Sequence, residues 1–211
     1  MKHNRIRRAR LSMPRLKPVA LGTALMLAMA VFAGSAQGAC NYTGAKTAFG
    51  PWGDGHSYVL APDGGFEAGG TGWSLSNGAQ VVDGNESFQL NGTTDSRSLS
   101  LPAGSTAVSP SICMSLDTPI FRMVARNGGD PASRLKVEAV YTLLGLVQTK
   151  TVSKVAGGAD WAPTQQMSTV LTLSTIVGTL IPSSIQIRIT PLDNRGEWQV
   201  DDLYIDPFAR R

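Results

Sequence analysis

An all-β chain folded as an antiparallel two-sheet β-sandwich is the architecture this sequence predicts, and three observations predict it. Beyond residue 39 no segment sustains the spacing of apolar residues that marks an amphipathic helix. Short stretches that alternate apolar and polar residues recur instead. Turn chemistry separates them: Asp63-Gly64-Gly65, Asp83-Gly84-Asn85, Asn91-Gly92, the run Asn127 to Pro131, and Asp193 to Gly196. Roughly ten short strands joined this way suit two packed sheets.

Residues 1–39 stand apart from the rest. Their first 18 positions hold seven Lys or Arg and no acid, an apolar run follows from Val19 to Ala33, and small residues lead to Cys40. That is the layout of a bacterial-type secretory signal, with cleavage expected near Gly38 or Ala39. The apolar run is too short for a permanent membrane span, for which about 20 residues are needed. Beyond residue 39 the chain keeps 12 Lys and Arg against 15 Asp and Glu, a net charge of −3 in place of the whole-chain +4. No basic patch is left to attract nucleic acid. The expected location is secreted, extracellular or in the cell envelope.

Residues 40–57 read as an N-terminal arm and residues 58–211 as one sandwich domain, expected to be a monomer. Two cysteines remain, Cys40 and Cys113. In an exported chain an even count points to a disulfide, here one that ties the arm to a mid-sequence strand. The rival is a lipidated Cys40, but such signals want an apolar residue three places earlier, where Gln37 stands.

The clearest strand is "SIQIRIT", with Ile185, Ile187 and Ile189 on one face. "RLKVEAVY" presents Leu135, Val137, Ala139 and Tyr141 together. "IFRMVAR" alternates Phe121, Met123 and Ala125 with Arg122 and Arg126. Weaker candidates are "HSYVL", "WSLSNGAQVV", "SFQLN", "SRSLSL", "SICMSL", "LVQTKTVSKV" and "STVLTLS". In the last strand, Trp198, Val200, Leu203, Ile205 and Phe208 are apolar. Val200 and Leu203 lie three apart, so both can be core residues only if the strand bulges at Asp201-Asp202. A carboxylate turned inward there needs a cation. Arg122, Arg188 or Ca²⁺ would serve, while the plainer alternative leaves both acids facing solvent at a sheet edge.

Two motifs carry a family resemblance. "DGGFEAGGTGW", Asp63 to Trp73, resembles the opening strand of the galactose-binding-like jelly rolls, which include many carbohydrate-binding modules. "WQVDDLYIDP" is similar to their closing strand. The resemblance implies a jelly roll and a structural calcium held by Asp201 or Asp202 with Glu67 and Asp63. It also implies a non-catalytic module that binds a polysaccharide or cell-surface glycan. An accessory module normally travels with a catalytic domain, and none is recognisable here.

Catalytic patterns are sparse. His56 is the single histidine beyond residue 39, and no nucleophile elbow, zinc spacing or phosphate loop accompanies it. Sugar binding asks for an aromatic face. Trp73 and Trp198 belong to the fold motifs, which leaves Trp52 in "FGPWGDGH" and Trp161 in "GGADWAPT" as platforms, with Arg126, Asn127 and Asp130 as a polar rim. The alternatives are a structural or adhesion domain of the cell envelope and, less favoured, a polysaccharide-active enzyme.

Overall fold

The structure is a computed structural model that describes residues 40, 42–113, 120–143, 145–168 and 184–206, all within the compact unit Gln37–Arg211. The leader expected at residues 1–39, most of the strand expected at 168–174, and Phe208 lie outside the described residues. No helix among the described residues is long and apolar enough to cross a membrane.

Two antiparallel sheets form the sandwich. Their strands are β1 (Val59–Leu60), β2 (Ser74–Ser76), β3 (Gln80–Asp83), β4 (Arg97–Leu101), β5 (Thr106–Val108), β6 (Ile112–Cys113), β7 (Ile120–Asn127), β8 (Leu135–Leu143), β9 (Leu146–Val155), β10 (Ala162–Pro163), β11 (Met167–Ser168), β12 (Ser184–Pro191) and β13 (Trp198–Asp206). The first sheet runs β10-β7-β13-β4-β3, with β1 added to β13 and β11 to β7. The second runs β2-β5-β12-β8-β9, with β6 added to β12. The stretch "WSLSNGAQVV" crosses between the sheets: β2 pairs with β5, and β3 pairs with β4. Asn77 and Gly78, both at positive φ, turn the corner.

Alternation places the core where the sequence put it. Ile185, Ile187 and Ile189 of β12 face inward with Leu135, Val137 and Ala139 of β8. Across the sandwich they meet Phe121, Met123, Trp198, Val200 and Leu203. Fully burying side chains of this size contributes about 1.5–3 kcal/mol each.

A second apolar cluster lies on the outer face of the first sheet, where Val124 of β7 and Tyr204 of β13 point away from the main core. The arm covers them. Cys40 is disulfide-bonded to Cys113, and Lys46 and Tyr58 form an isolated β-bridge. Between these anchors a short 3₁₀ turn, Gly50–Trp52, brings fully buried Phe49 edge-on against Tyr58 and Tyr204 at 5.1 and 5.8 Å. The arm is thus an integral layer of the domain.

Two expectations need correcting. "SFQLN", read as a strand, is a loop: the Glu86 carboxylate accepts hydrogen bonds from the Phe88 and Leu90 amides, and the chain wraps around it with Gln89 at φ 54°. β13 is an interior strand between β7 and β4, so Asp201 and Asp202 are not solvent-facing edge charges; both are fully buried.

Candidate functional site

The outer face of the first sheet carries a cleft of about 1020 Å³. Trp52, Asp54 and His56 of the arm form one wall, Arg122 of β7 the floor, and Gln165 and Gln166 the other wall. The floor is an ion pair. Arg122 Nη1 reaches Asp54 Oδ2 at 2.6 Å, and both side chains are less than a tenth exposed. Arg122 also donates from Nε to the Thr164 carbonyl at 2.9 Å and lies over the Phe49 ring at 4.4 Å. Burial alone would raise the Asp54 carboxyl. Hydrogen bonds from Gln166, Arg122, the His56 amide and Tyr58 outweigh it and hold the pKa near 2. Burial and the Asp54 carboxylate push the Tyr58 hydroxyl upward. At the cleft mouth His56 Nδ1 pairs with Asp206 Oδ2 at 2.9 Å.

Trp52 is 37% exposed and stands on the rim. Its ring meets Phe88 edge-on at 4.8 Å, and Phe88 is 40% exposed. Two large aromatic side chains left open beside amide groups make a surface with the chemistry of a sugar platform. Trp161 differs: Arg126 stacks over its ring at 4.9 Å, and the ring packs against the outer apolar cluster. Nothing in their local Gly/Pro-rich surroundings ranks these two tryptophans.

Beyond Arg126 a second groove of about 450 Å³ follows the same sheet face. Strand register explains its lining. Arg126 pairs with Gln199, Gln199 with Ser100, and Ser100 with Gln80, a row of hydrogen-bonding side chains across four strands. Arg126 donates to Gln199 at 2.6 Å. Asn127 and Asp130 brace the neighbouring turn. Asn127, 2% exposed, donates to the Asp130 carbonyl and accepts from the Gly129 and Glu197 amides. The Asp130 carboxylate accepts from the Ala132 amide and Arg195.

The acids of β13 form a separate centre. The strand bulges between Asp201 and Tyr204, as the Val200–Leu203 spacing required, and Asp202 takes φ 51°. Asp201 is satisfied by the Glu86 amide at 3.0 Å and the Asp202 amide at 2.8 Å. Neither carboxylate oxygen of Asp202 has a hydrogen-bond partner among the described residues, and Asp95 Oδ2 is likewise buried and unpaired. Among the described residues no arginine pairs with these acids, since Arg122 serves Asp54 and Arg188 serves Glu138; Lys46 is the positive side chain that acts on Asp202. Burial, then the Asp202 charge, raises Asp201 to about 8; burial, then Glu86 and Asp95, raises Asp202 to about 7.

Gly65 leaves a space among them. A Cβ built there would sit 3.1 Å from Asp202 Oδ1, 3.4 Å from Asn91 Nδ2 and 3.6 Å from Asp95 Oδ2, so Asn91 would serve a cation only with its amide turned to present the oxygen. Orphaned oxygens around such a space fit a hard, oxygen-seeking cation such as Ca²⁺. Among the described residues no three His, Cys, Asp or Glu side chains already converge as a metal-binding group, so an amide or carbonyl would have to complete the set. Glu67 and Asp63 are engaged elsewhere. Glu67 accepts from the Ser96 and Arg97 amides, and Asp63 from the Ala68 and Thr71 amides. Asn91 and Asp95, absent from the sequence expectation, are the side chains beside Asp202 at this space, more than 100 positions from it in sequence.

No protein-family model and no curated protein matches the chain. Solved structures do. The N-terminal CBM22-1–CBM22-2 tandem domain of Xyn10C from Paenibacillus barcinonensis matches with a TM-score of 0.50 and 15% identity, over 72% of this chain and 44% of that one. The CBM22-1 xylan-binding domain of the same Xyn10C gives 0.48 and 16%, over 70% and 96%. TmCBM61, solved with β-1,4-galactotriose, gives 0.45 and 13%, over 72% and 98%. At these identities the likeness is one of fold: the antiparallel two-sheet β-sandwich is shared with the CBM22-1–CBM22-2 tandem domain.

Proposed function

We propose that this chain is a secreted, non-catalytic carbohydrate-binding domain whose glycan lies along the outer face of the first sheet. The exposed Trp52 on the rim of the amide-lined cleft carries the reading. Trp52 and Phe88 would stack on a sugar ring, Gln165 and Gln166 would bond its hydroxyls, and the row from Arg126 to Gln80 would continue the track. The Cys40–Cys113 bond suits an oxidising compartment outside the cytosol. Xylan and β-1,4-galactan, the polymers tied to the neighbouring structures, are the first probes. In affinity electrophoresis against a polysaccharide panel, retardation by one glycan class that Trp52→Ala abolishes supports the reading. A blank panel from folded protein rejects it in favour of a structural envelope domain.

A single Ca²⁺ at Asp202, Asp95 and Asn91 belongs to the same proposal. It would bond the buried Asp202 carboxylate and the buried Oδ2 of Asp95, neither of which has a hydrogen-bond partner among the described residues. Equal melting midpoints in EDTA and in excess Ca²⁺ would reject it.

One observation favours a second reading, a polysaccharide-active enzyme: His56, on the cleft wall, is oriented by Asp206 as a general base would be. New reducing ends or unsaturated ends after incubation with the bound polysaccharide, lost in His56→Ala, would establish it.

A further inference from the structure

The acidic centre and the aromatic rim are joined by one segment. Residues 85–95 leave β3 and return to β4 as a closed loop whose ends meet through the Gly84 amide and the Ser96 carbonyl at 2.7 Å. One end of the loop is tied to the bulge, since the Glu86 amide bonds Asp201. The other carries Asn91 and Asp95 to the space beside Gly65, facing the unpaired oxygens of Asp202. Between them Glu86 gathers the Phe88 and Leu90 amides, and the Leu90 carbonyl accepts from Lys46 of the arm at 2.6 Å. Phe88 is thus an exposed aromatic on a closely fixed backbone, and what it touches is Trp52.

The loop brings its own negative charge onto a negative seat. Glu86 and Asp95 approach Asp201 and Asp202, and fully buried Asp202 has no hydrogen-bond partner among the described residues. Lys46, bonded to the Leu90 carbonyl, offers these acids one positive charge from the arm; a divalent cation between Asp202 and Asp95 would bond both carboxylates directly and draw the loop in. Whatever closes the loop also seats Phe88 against Trp52.

We propose that the cation site is the latch of residues 85–95 and that latching completes the Trp52–Phe88 platform, so that Ca²⁺ and glycan bind with positive coupling. The inference rests on the two readings above, that Trp52 meets the glycan and that Asp202 and Asp95 hold Ca²⁺. Phe88, 36 positions from Trp52 in sequence, thus both faces the sugar and holds Trp52 in place. By linkage the coupling is reciprocal: each ligand raises the affinity for the other by the same factor.

The test uses the full chain with its disulfide intact, stripped with EDTA and titrated with CaCl₂. Calorimetry follows Ca²⁺, and the fluorescence difference between the unmodified protein and Trp52→Phe isolates Trp52. Gly65→Ala fills the space without removing a donor, and Asp95→Asn replaces it if that variant does not fold. Phe88→Ala leaves the site intact. Ca²⁺ should bind the unmodified protein and Phe88→Ala within threefold of each other, and at least tenfold more weakly to Gly65→Ala or Asp95→Asn. Trp52 emission should shift with Ca²⁺ in the unmodified protein alone. Soluble xylan or β-1,4-galactan, whichever is retarded, should bind at least fivefold more tightly with Ca²⁺ than in EDTA, and Phe88→Ala should erase that difference. Ca²⁺ binding with unchanged Trp52 emission overturns the coupling and leaves the metal reading standing. Absence of Ca²⁺ binding overturns both. Equal glycan affinity in Ca²⁺ and EDTA overturns the coupling and leaves the glycan reading standing. If no glycan is retarded, the Trp52 response alone decides the latch.

Discussion

Replacing Arg122 by Met tests the floor of the cleft. The change removes the guanidinium that pairs with Asp54 at 2.6 Å, both groups being nearly excluded from solvent. Breaking a buried pair by removing one partner costs about 3–5 kcal/mol. Asp54 keeps Tyr58 at 2.8 Å, the His56 amide at 3.1 Å and Gln166, so the low end of that range applies. The Thr164 carbonyl also loses its bond from Nε, worth about 1 kcal/mol. A loss of about 3–4 kcal/mol corresponds to a melting point lower by roughly 6–16 °C for a domain of this size. Urea unfolding followed by circular dichroism at pH 7 reads the difference, and the double variant Asp54→Asn/Arg122→Met supplies the control. With both charges gone, it should be at least about 1.5 kcal/mol more stable than the two single losses added together. The acid limb gives an independent check. The Asp54 pKa is held near 2, below its unfolded value, so its contribution of about 2.5 kcal/mol is complete above about pH 4 and is lost as pH falls through 2. Arg122→Met should flatten that limb. A single-variant loss below about 1 kcal/mol, or strict additivity in the double variant, would refute the assignment of Arg122 and Asp54 as a coupled buried pair.

Other consequences are as direct. The disulfide closes a 73-residue separation, so Cys40→Ala/Cys113→Ala should cost about 4 kcal/mol by the chain-entropy relation, read as a melting point lower by roughly 8–16 °C; a change under 2 °C would deny the bond a role in stability. Trp52→Ala should abolish glycan retardation while the melting point moves by less than about 3 °C, since the ring is a surface residue. Asp201 and Asp202 titrate near 8 and 7, above their unfolded values, so the folded state holds protons that the unfolded chain has released. Stability in EDTA should therefore fall as pH rises from about 4 to 8, by up to about 1.4 kcal/mol per pH unit for each carboxyl, and a flat or rising profile between pH 5 and 7 would refute it.

Much of the fold was legible because it depends on local alternation. Ile185, Ile187 and Ile189 could face only one way, and the three-residue step from Val200 to Leu203 required a bulge that the structure contains. The loop was not legible for the same reason. Phe88 and Leu90 alternate like strand residues, and their true conformation is imposed by the Glu86 carboxylate collecting two backbone amides, which no periodicity encodes. The family resemblance implied Glu67 and Asp63 as metal ligands; the structure adds that their oxygens accept amide hydrogen bonds from residues that no local pattern links to them. Trp52 and Trp161 sit in similar Gly/Pro-rich settings, and what separates them is Arg126, 35 positions before Trp161 and stacked on its ring.

The bulge in β13 is an insertion of one residue. Asp201 opposes Val124 and Tyr204 opposes Arg122, so Asp202 and Leu203 share the place of a single partner, Met123. Inward and outward faces on either side would match without Asp202, which supplies no rung of the ladder to β7. On its other flank the strand changes neighbour at this point, from β4 at Trp198–Val200 to β1 at Tyr204–Ile205. A supernumerary residue at a splice between two neighbours, held at positive φ, carries backbone strain of about 1–3 kcal/mol, and its orphaned carboxylate adds to that. Excising Asp202 is thus a cleaner cut than substituting it. The shortened strand keeps its hydrophobic face, loses the acid beneath the loop, and should be more stable than the full-length strand in EDTA while no longer responding to calcium.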